Sequence, residues 1–264
     1  MKISVIGCGN MASAIMGGMI KNGLVSPENV TASDVFGPAR QKARENLGIH
    51  TVSDNAECVK GADLVLFAVK PGSFAGAAEG LADVITKDQL VLSIMAGKSI
   101  ADLESVLGSD KKIVRLMPNT PALVGAGITG YCPNGNVSGE EMPVVRRVIE
   151  SFSEAEEVPE SLMGVVTSLS GSSPAYVYMF IEAMADAAVA DGMPRNKAYH
   201  FAAQTVLGSA KMVLETGKHP GELKDMVTSP AGTTIEGVAM LEKKGFRSAV
   251  IEAVRACTDK ALHM

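Results

Sequence analysis

The sequence feature that most constrains the fold is a short apolar segment that runs directly into two glycines near the beginning of the chain. Residues 3–6 are Ile-Ser-Val-Ile, and Gly7, Gly9 and Ala12 follow with the spacing GxGxxA. Small residues at this spacing allow a tight turn from strand to helix, close approach of a pyrophosphate, and close helix packing. A dinucleotide-binding turn is therefore predicted. Its candidate binding residues are Gly7, Gly9, Asn10, Met11 and Ala12.

Up to about residue 159, short apolar segments alternate with helical ones, which indicates parallel strands joined by crossover helices. Because the strand segments are apolar throughout, the sheet is expected to be covered on both faces. One predicted helix begins after Ser99, has Asp102 in its first turn and ends before Gly108. The predicted strands lie within residues 2–7, 29–34, 49–53, 63–70, 89–95 and 112–118, and the predicted helices are 10–22, 38–47, 54–61 and 99–107.

From about residue 160, the pattern is helical, with Gly and Pro between the helices and no further strands. The predicted helices run from Ser173 to Gly192, from Pro194 to Gly217, from Pro220 to just before Thr228, and over residues 234–244 and 246–262. The second of these carries a stripe of mostly small residues: Ala198, Ala202, Thr205, Ser209 and Met212. Such a stripe suits close helix packing, either within the chain or with a second copy. A homodimer is favoured, because about a hundred residues of Ala-rich helix form a thin core alone.

The predicted fold class is α/β, with an N-terminal Rossmann-like doubly wound parallel sheet followed by an all-α C-terminal dimerisation domain. The predicted boundaries are 1–159 for the dinucleotide-binding domain and 160–264 for the helical substrate-binding and dimerisation domain.

Composition argues against several other classes of function. A net charge of −5 without basic clusters, together with the absence of Trp, argues against a nucleic-acid partner. The apolar segments are shorter than the roughly 18 residues of a membrane span, and the early glycines interrupt any secretory signal, so a cytoplasmic protein is expected. No metal site is expected either, because the cysteines and histidines lack metal-ligand spacing. These residues are Cys8, Cys58, Cys132, Cys257, His50, His200, His219 and His263.

The end of the second predicted strand is compatible with either nicotinamide cofactor. Asp34 could accept a hydrogen bond from the adenosine ribose 2′-OH, which would favour NADH. Ser33 and Arg40 could instead accommodate the 2′-phosphate of NADPH. A carboxylate at the strand end would repel that phosphate, but Asp34 could also lie one residue beyond the position that contacts the ribose. The residues alone leave both cofactors open.

Two further segments are expected beside the nicotinamide, because ligands of open parallel sheets lie beyond the carboxyl ends of the strands. Val69, Lys70 and Pro71 end one predicted strand, and Asn119 follows another. Lys70 could equally be a solvated lysine at a strand end.

Residues 168–176 and 228–237 are rich in Ser, Gly and Pro, and both are predicted to be loops that end at helix starts. In the second segment, Thr233 lies three residues before Glu236, as in a capping box. A cap uses one hydroxyl, whereas this loop offers four. Hydroxyls beside a helix N-terminus suit a small carboxylate. No activated Ser or Cys nucleophile is evident. A nicotinamide held by the dinucleotide turn and a carboxylate held by this loop therefore indicate hydride transfer.

The chain resembles the pyrroline-5-carboxylate reductase family almost from end to end. The matching segments are IGCGNMASAI, AVKP, VRLMPNTP, SLSGSSPAY and HPGELKDMVTSPAGTTIEGVAMLEKKGFRSAVIEAV, in that order. The resemblance implies reduction of the cyclic imine 1-pyrroline-5-carboxylate to L-proline by NADPH or NADH, in homodimers or dimer-based larger rings. It assigns Asn55 to the adenosine portion of the cofactor and Asn119 to the nicotinamide. It assigns the substrate to Ser229, Gly232, Thr233 and Thr234, with Thr234 as the catalytic candidate at the ring nitrogen.

Two residues depart from the family's usual pattern, since Ser173 and Ala231 stand where glycines are usual. Ser173 can cap a helix, but Ala231 would be disfavoured if its φ is positive. Two other functions fit the sequence less well. A two-domain hydroxyacid dehydrogenase needs a lysine early in its helical half, and residues 162–194 contain none. A redox-sensing protein would have no use for the hydroxyl-rich loop.

Overall fold

A computed structural model describes residues 1–263 of the chain. These residues form two compact units. The first contains residues 1–172 and the end of the chain from Thr258, and the second contains Ser173–Cys257. Over residues 1–263, no helix is both long enough and apolar enough to cross a bilayer.

The first unit is built on a sheet that has eight strands within the described residues. These are β1 (Ile3–Ile6), β2 (Val30–Ser33), β3 (His50–Val52), β4 (Leu64–Phe67), β5 (Leu90–Ser93), β6 (Lys112–Met117), β7 (Ile128–Pro133) and β8 (Glu154–Glu157). Their order across the sheet is β3-β2-β1-β4-β5-β6-β7-β8. The pairs from β3 to β6 are parallel, and the order reverses between β1 and β4. Such a switch point is where doubly wound folds bind dinucleotides.

Helices cover both faces of this sheet. They are α1 (Asn10–Lys21), α2 (Gly37–Leu47), α3 (Asn55–Val59), α4 (Phe74–Ala77), α5 (Ile100–Leu107), α6 (Met142–Glu150) and α7 (Met163–Val166). Val5 and Ile6 of β1 lie in separate cores on the two faces. This explains why the central strands are apolar throughout, and the predicted α/β fold class is confirmed.

The sequence prediction missed β7, β8 and α6. β7 is antiparallel to β6 and β8 is parallel to β7, so the sheet is mostly rather than wholly parallel. β8 is Glu-Ala-Glu-Glu, and β7 contains Gly130 and Pro133, so neither strand has the apolar run on which the prediction relied. Gly130 is small for a steric reason, because a Cβ there would lie 2.7 Å from the Val166 side chain.

The second unit is helical, as predicted. It contains α8 (Ser173–Ala190), α9 (Arg195–Thr216), α10 (Pro220–Met226), α11 (Thr233–Lys243) and most of α12 (Phe246–Leu262). Ala198 and Ala202 of α9 are buried in a small core with Ala185 of α8. Farther along the predicted stripe, Thr205, Ser209 and Met212 are exposed. Only the first part of the stripe is therefore covered within the chain.

Residues 167–172 do not form the predicted loop, which is a correction to the sequence analysis. They form a π-helix that continues from α7 into α8. Ser168 Oγ donates to the carbonyl oxygen of Val165, and Ser170 Oγ donates to that of Val166, both at 2.9 Å. The hydroxyls that suggested a loop thus bond to the helix backbone. Ser173 consequently lies inside a continuous helical segment rather than at a cap.

Candidate active-site residues

The two glycines of the predicted dinucleotide turn are small for different reasons. Gly7 has a φ of 107°, and a Cβ there would lie 2.7 Å from the carbonyl oxygen of Ala68. The N–H of Gly7 also donates to the carbonyl oxygen of Ser33 at 2.7 Å. The fold itself therefore requires glycine at this position. At Gly9, in contrast, a Cβ would meet no atom of the chain within 4 Å, so open space remains there for a ligand.

The start of α1 is open to an anion. Its N-cap is Gly9, which provides no side-chain cap, and the first turn contains no acidic residue. Asn10 is exposed, Met11 is half-buried and Ala12 is buried against the sheet. The backbone N–H groups of this turn therefore keep the partial positive charge that attracts phosphate.

The carboxylate of Asp34 joins the turn to the loop after β2. Its Oδ2 accepts a hydrogen bond from the N–H of Cys8, and its Oδ1 accepts one from the N–H of Phe36, both at 2.8 Å. Each carboxylate oxygen thus has a backbone partner, and the loop is fixed to the turn. The Arg40 guanidinium donates to the carbonyl oxygen of Asp34, which brings that side chain back over the same loop.

Ser33 and Asn55 form a second connection at the end of β2. The Ser33 side chain is fully buried, and its Oγ donates to Asn55 Oδ1 at 2.6 Å. The Asn55 amide in turn donates to the carbonyl oxygen of Ala77 at 2.9 Å. Ser33 therefore orients the half-buried Asn55 side chain rather than projecting from the surface.

A cavity of about 560 Å³ opens beside this loop. Its size lies within the range of small-molecule sites. The charged side chains in its lining are Arg40, Arg44 and Glu57, so arginines outnumber carboxylates, which suits a phosphate group. The rest of the lining is Gly37, Pro38, Gln41, Thr51, Val52 and Ser53.

The residues after β4 lie at the expected edge of the sheet. The Val69 side chain would be 3.3 Å from a Cβ at Gly7, so it lies directly beside the dinucleotide turn. Lys70 is exposed, and Pro71 begins a short 3₁₀ helix. Lys70 makes no ion pair with the described part of the chain.

Asn119 has a fixed orientation. It is only 8% exposed, and its Oδ1 accepts a hydrogen bond from the N–H of Ile128 at 3.0 Å. This bond points the Nδ2 group away from Ile128, and Nδ2 has no hydrogen-bond partner in residues 1–263. The buried amide can therefore donate to a ligand.

The loop before α11 differs from the prediction at its cap, and one of its residues has an unusual backbone angle. The N-cap of α11 is Gly232 and has no side-chain cap, so Thr233 and Glu236 do not form the predicted capping box. Ala231 has a φ of 56°, and it is the one non-glycine residue with a positive φ in the described chain. A Cβ at Gly232 would lie 2.4 Å from Ser229 Oγ, so a side chain there would push the Ser229 hydroxyl out of its present position.

Three hydroxyls of this loop are unused by the chain. Thr228 Oγ1 donates to the carbonyl oxygen of Lys224 at 2.6 Å. Ser229, Thr233 and Thr234 are exposed, and their hydroxyls have no partner within residues 1–263. They surround a helix start that lacks a side-chain cap, which is an arrangement suited to a carboxylate.

The buried thiols do not supply a nucleophile. Burial raises the pKa of Cys8 to about 12, with the negative charge of Asp34 adding to the effect. Burial likewise raises the pKa of Cys132 to about 11. Both cysteines are therefore protonated at neutral pH and unreactive.

Sequence analysis missed two features near these residues. The π-helical segment passes the end of β6, because a Cβ at Gly171 would lie 3.9 Å from Met117 Sδ. The loop after β2 exposes Val35 and Phe36, which show no helix or strand periodicity that could mark them as functional.

Comparisons with known proteins cover nearly the whole chain. Residues 160–264 match the family model described as pyrroline-5-carboxylate reductase dimerisation, and residues 2–97 match NADP oxidoreductase, coenzyme F420-dependent. Pyrroline-5-carboxylate reductase of Escherichia coli K12 is 51% identical over 98% of this chain and 97% of its own. The enzyme of that name from Methanosarcina acetivorans is 47% identical over 98% of this chain and 96% of its own.

Solved structures agree with these sequence comparisons. The crystal structure of Plasmodium falciparum pyrroline carboxylate reductase with NADP bound has a TM-score of 0.91 at 34% identity, covering 99% of this chain and 97% of that one. The Coxiella burnetii pyrroline-5-carboxylate reductase structure has a TM-score of 0.91 at 35% identity, covering 98% and 97%. The chain belongs to the pyrroline-5-carboxylate reductase family.

Proposed function

We propose that the chain reduces 1-pyrroline-5-carboxylate to L-proline by hydride transfer from NADPH, the last step of proline biosynthesis. The observation that carries the substrate assignment is the set of three unpartnered hydroxyls around the uncapped start of α11. The cofactor assignment is supported by the open space at Gly9 and by the NADP bound in the Plasmodium relative. NADH remains the alternative cofactor.

The substrate carboxylate is assigned to the loop before α11. Ser229 and Thr233 donate to it through their hydroxyls, and a side chain at Gly232 would displace the Ser229 hydroxyl from its position. Thr234 is the catalytic candidate, because its hydroxyl would hydrogen-bond the ring nitrogen as the imine becomes an amine. A cyclic iminium carbon is already electrophilic, so these residues act mainly by holding and orienting it.

The cofactor is assigned to the dinucleotide turn and the strand ends beside it. Gly7, Gly9, Asn10, Met11 and Ala12 would hold the pyrophosphate at the start of α1. Asp34 and Asn55 would form the adenosine side, with the buried Ser33 orienting the Asn55 side chain and with Arg40 at the 2′-phosphate. Val69, Lys70, Pro71 and Asn119 would line the nicotinamide, to which the Asn119 amide would donate a hydrogen bond. When bound, the cofactor supplies the hydride.

The proposed domain boundaries are 1–159 for cofactor binding and 160–264 for substrate binding and dimerisation. The start of the dimerisation family match at residue 160 supports this division. We further propose that the chain forms a homodimer, alone or as the unit of a larger ring, and that it works in the cytoplasm without a nucleic-acid, membrane or metal partner.

The decisive experiment mixes the purified chain with 1-pyrroline-5-carboxylate and NADPH and follows the loss of nicotinamide absorbance together with the formation of proline. A parallel series with NADH measures the cofactor preference, and kcat/KM is expected to be higher with NADPH. Absence of proline with either cofactor would refute the proposed reaction.

A further inference from the structure

The loop between β2 and α2 exposes two neighbouring apolar side chains. Val35 is 92% exposed, and Phe36 is 63% exposed. Within residues 1–263, the Phe36 ring takes part in no aromatic pair and no cation–ring contact. A phenylalanine ring in this setting presents a large apolar surface that a ligand can cover.

The position of Phe36 relative to the dinucleotide turn is set by one carboxylate. Because Asp34 accepts the N–H groups of both Cys8 and Phe36, the backbone of Phe36 is held beside the turn. The next two residues, Gly37 and Pro38, line the cavity that contains Arg40. The backbone of Phe36 therefore connects the dinucleotide turn to the residues that line that cavity.

This location matches one part of a dinucleotide. The pyrophosphate of such a ligand lies at the start of α1, and the adenosine ribose lies at the end of β2. The adenine ring continues outward from that ribose, toward the residues that follow β2. Purine rings bind well to flat aromatic side chains by stacking.

We infer that Phe36 is the platform on which the adenine ring of NADPH stacks. The inference deepens the proposed function and rests on it, because it takes the dinucleotide to be bound at the turn of residues 7–12. It assigns to Phe36 a contribution to cofactor affinity, with no part in the chemistry.

A tryptophan reporter tests the contact directly. The sequence contains no Trp, so Phe36→Trp introduces a single indole at the inferred site. Adenosine 2′,5′-bisphosphate is expected to lower its fluorescence about twofold or more by stacking, whereas nicotinamide mononucleotide, which lacks adenine, should have no such effect. Val35→Trp is the matched control, one residue away and more exposed, and it should respond much less. Equal quenching in both variants, or none in Phe36→Trp, would overturn the inference.

Kinetics provide a second test. Phe36→Ala should raise KM for NADPH about tenfold, the scale of one lost stacking contact, with the effect in KM rather than kcat. Phe36→Tyr should restore most of the affinity, and Val35→Ala should leave KM unchanged. An unchanged KM in Phe36→Ala would contradict the inference. Lack of turnover in the unmodified chain would instead refute the proposed function, while the bisphosphate titration would still test the contact at Phe36.

Discussion

Gly7 and Gly9 show that two glycines of one motif can have unrelated constraints. Gly7 has a positive φ and lies against the backbone of Ala68, whereas a side chain at Gly9 would project into open space. The GxGxxA spacing identified both glycines as parts of a dinucleotide turn. Coordinates are needed to tell that the fold requires Gly7 and that Gly9 leaves space for a ligand.

Gly9→Val should therefore fold and fail to bind cofactor. Its melting temperature is expected to stay close to that of the unmodified chain, because a Cβ at residue 9 meets no protein atom within 4 Å. Gly7→Ala should instead lower the free energy of unfolding by about 1–3 kcal/mol, since φ there is 107°. Calorimetry and NADPH titration measure the two effects. Unaltered NADPH affinity in Gly9→Val would contradict the assignment of the turn.

Thr234 can be tested by removing its hydroxyl with little change in shape. Thr234→Val should lower kcat/KM for the imine by an amount equivalent to about 1–3 kcal/mol, the scale of one well-placed hydrogen bond. Thr234→Ser should retain most of the activity. Thr228→Val is a useful control, because the Thr228 hydroxyl already bonds to the carbonyl oxygen of Lys224. If Thr234→Val keeps full kcat/KM, Thr234 has no part in the reaction.

Substitution of Ala231 can measure how much a positive φ destabilises the folded chain. Alanine was predicted to be disfavoured at position 231 if the φ angle there is positive, and that φ is 56°. Ala231→Gly should raise the free energy of unfolding by about 0.5–1 kcal/mol, because an L-residue is strained in this region and glycine is not. Urea unfolding at fixed protein concentration measures the difference. A lower stability in the glycine variant would show that the strain is compensated by contacts of the Ala231 methyl group.

Among the elements, those with apolar runs were predictable and those with polar sequences were not. β1, β2, β4, β5 and β6 are identified by largely buried apolar segments, and β3 by a weaker, partly exposed one. β8 offers only Ala155 to the core side of an acidic strand. The π-helix was predicted as a loop because Ser and Gly are usual in loops, and local hydrogen bonds such as that of Ser170 cannot be read from composition. Thr233 was predicted to cap α11, but the adjacent glycine occupies the cap position.

The capping box of α5 gives a prediction with a defined pH dependence. Hydrogen bonds from Ser99 hold the pKa of Asp102 below its usual value near 3.8. Because the folded pKa is lower than the unfolded pKa, the stabilisation is present above the unfolded value and is lost as the pH falls through the folded value. Ser99→Ala should cost about 1 kcal/mol at neutral pH, and the cost should shrink in acid.

Unfolding of the Ser99→Ala variant at several pH values measures this cost. Ser105→Ala is the matched control, because Ser105 is an exposed residue within the same helix and has no capping role. Ser105→Ala should change the free energy of unfolding very little at any pH. A constant difference between Ser99→Ala and the unmodified chain down to strongly acidic pH would contradict the role assigned to Asp102.

At the scale of the whole molecule, the second unit has a small alanine core and leaves many large apolar side chains exposed. Exposed side chains on α8 and α9 include Tyr178, Met179, Phe201, Leu207 and Leu214. The dimerisation family match covers these helices. Surfaces of this kind are usually covered by another copy of the chain.

Light scattering should therefore give a mass at least twice the chain mass of 27.4 kDa. Leu207→Lys combined with Leu214→Lys should shift the mass toward that of a single chain, because two charges on one face of α9 would have to be buried. Leu123→Lys, at an exposed position in the first unit, should leave the mass unchanged. A single-chain mass for the unmodified protein at micromolar concentration would contradict dimerisation.

The two hydrogen bonds accepted by Asp34 limit how the coenzyme preference of this chain could be re-engineered. An acidic residue near the end of the second strand is the usual position to mutate when one nicotinamide coenzyme is to be exchanged for the other. In this chain the Asp34 carboxylate also accepts hydrogen bonds from the N–H groups of Cys8 and Phe36. Its removal would therefore loosen the loop after β2 as well as change the coenzyme preference. Arg40 and Arg44 can be varied without losing either bond, and directed changes in coenzyme choice should begin with them.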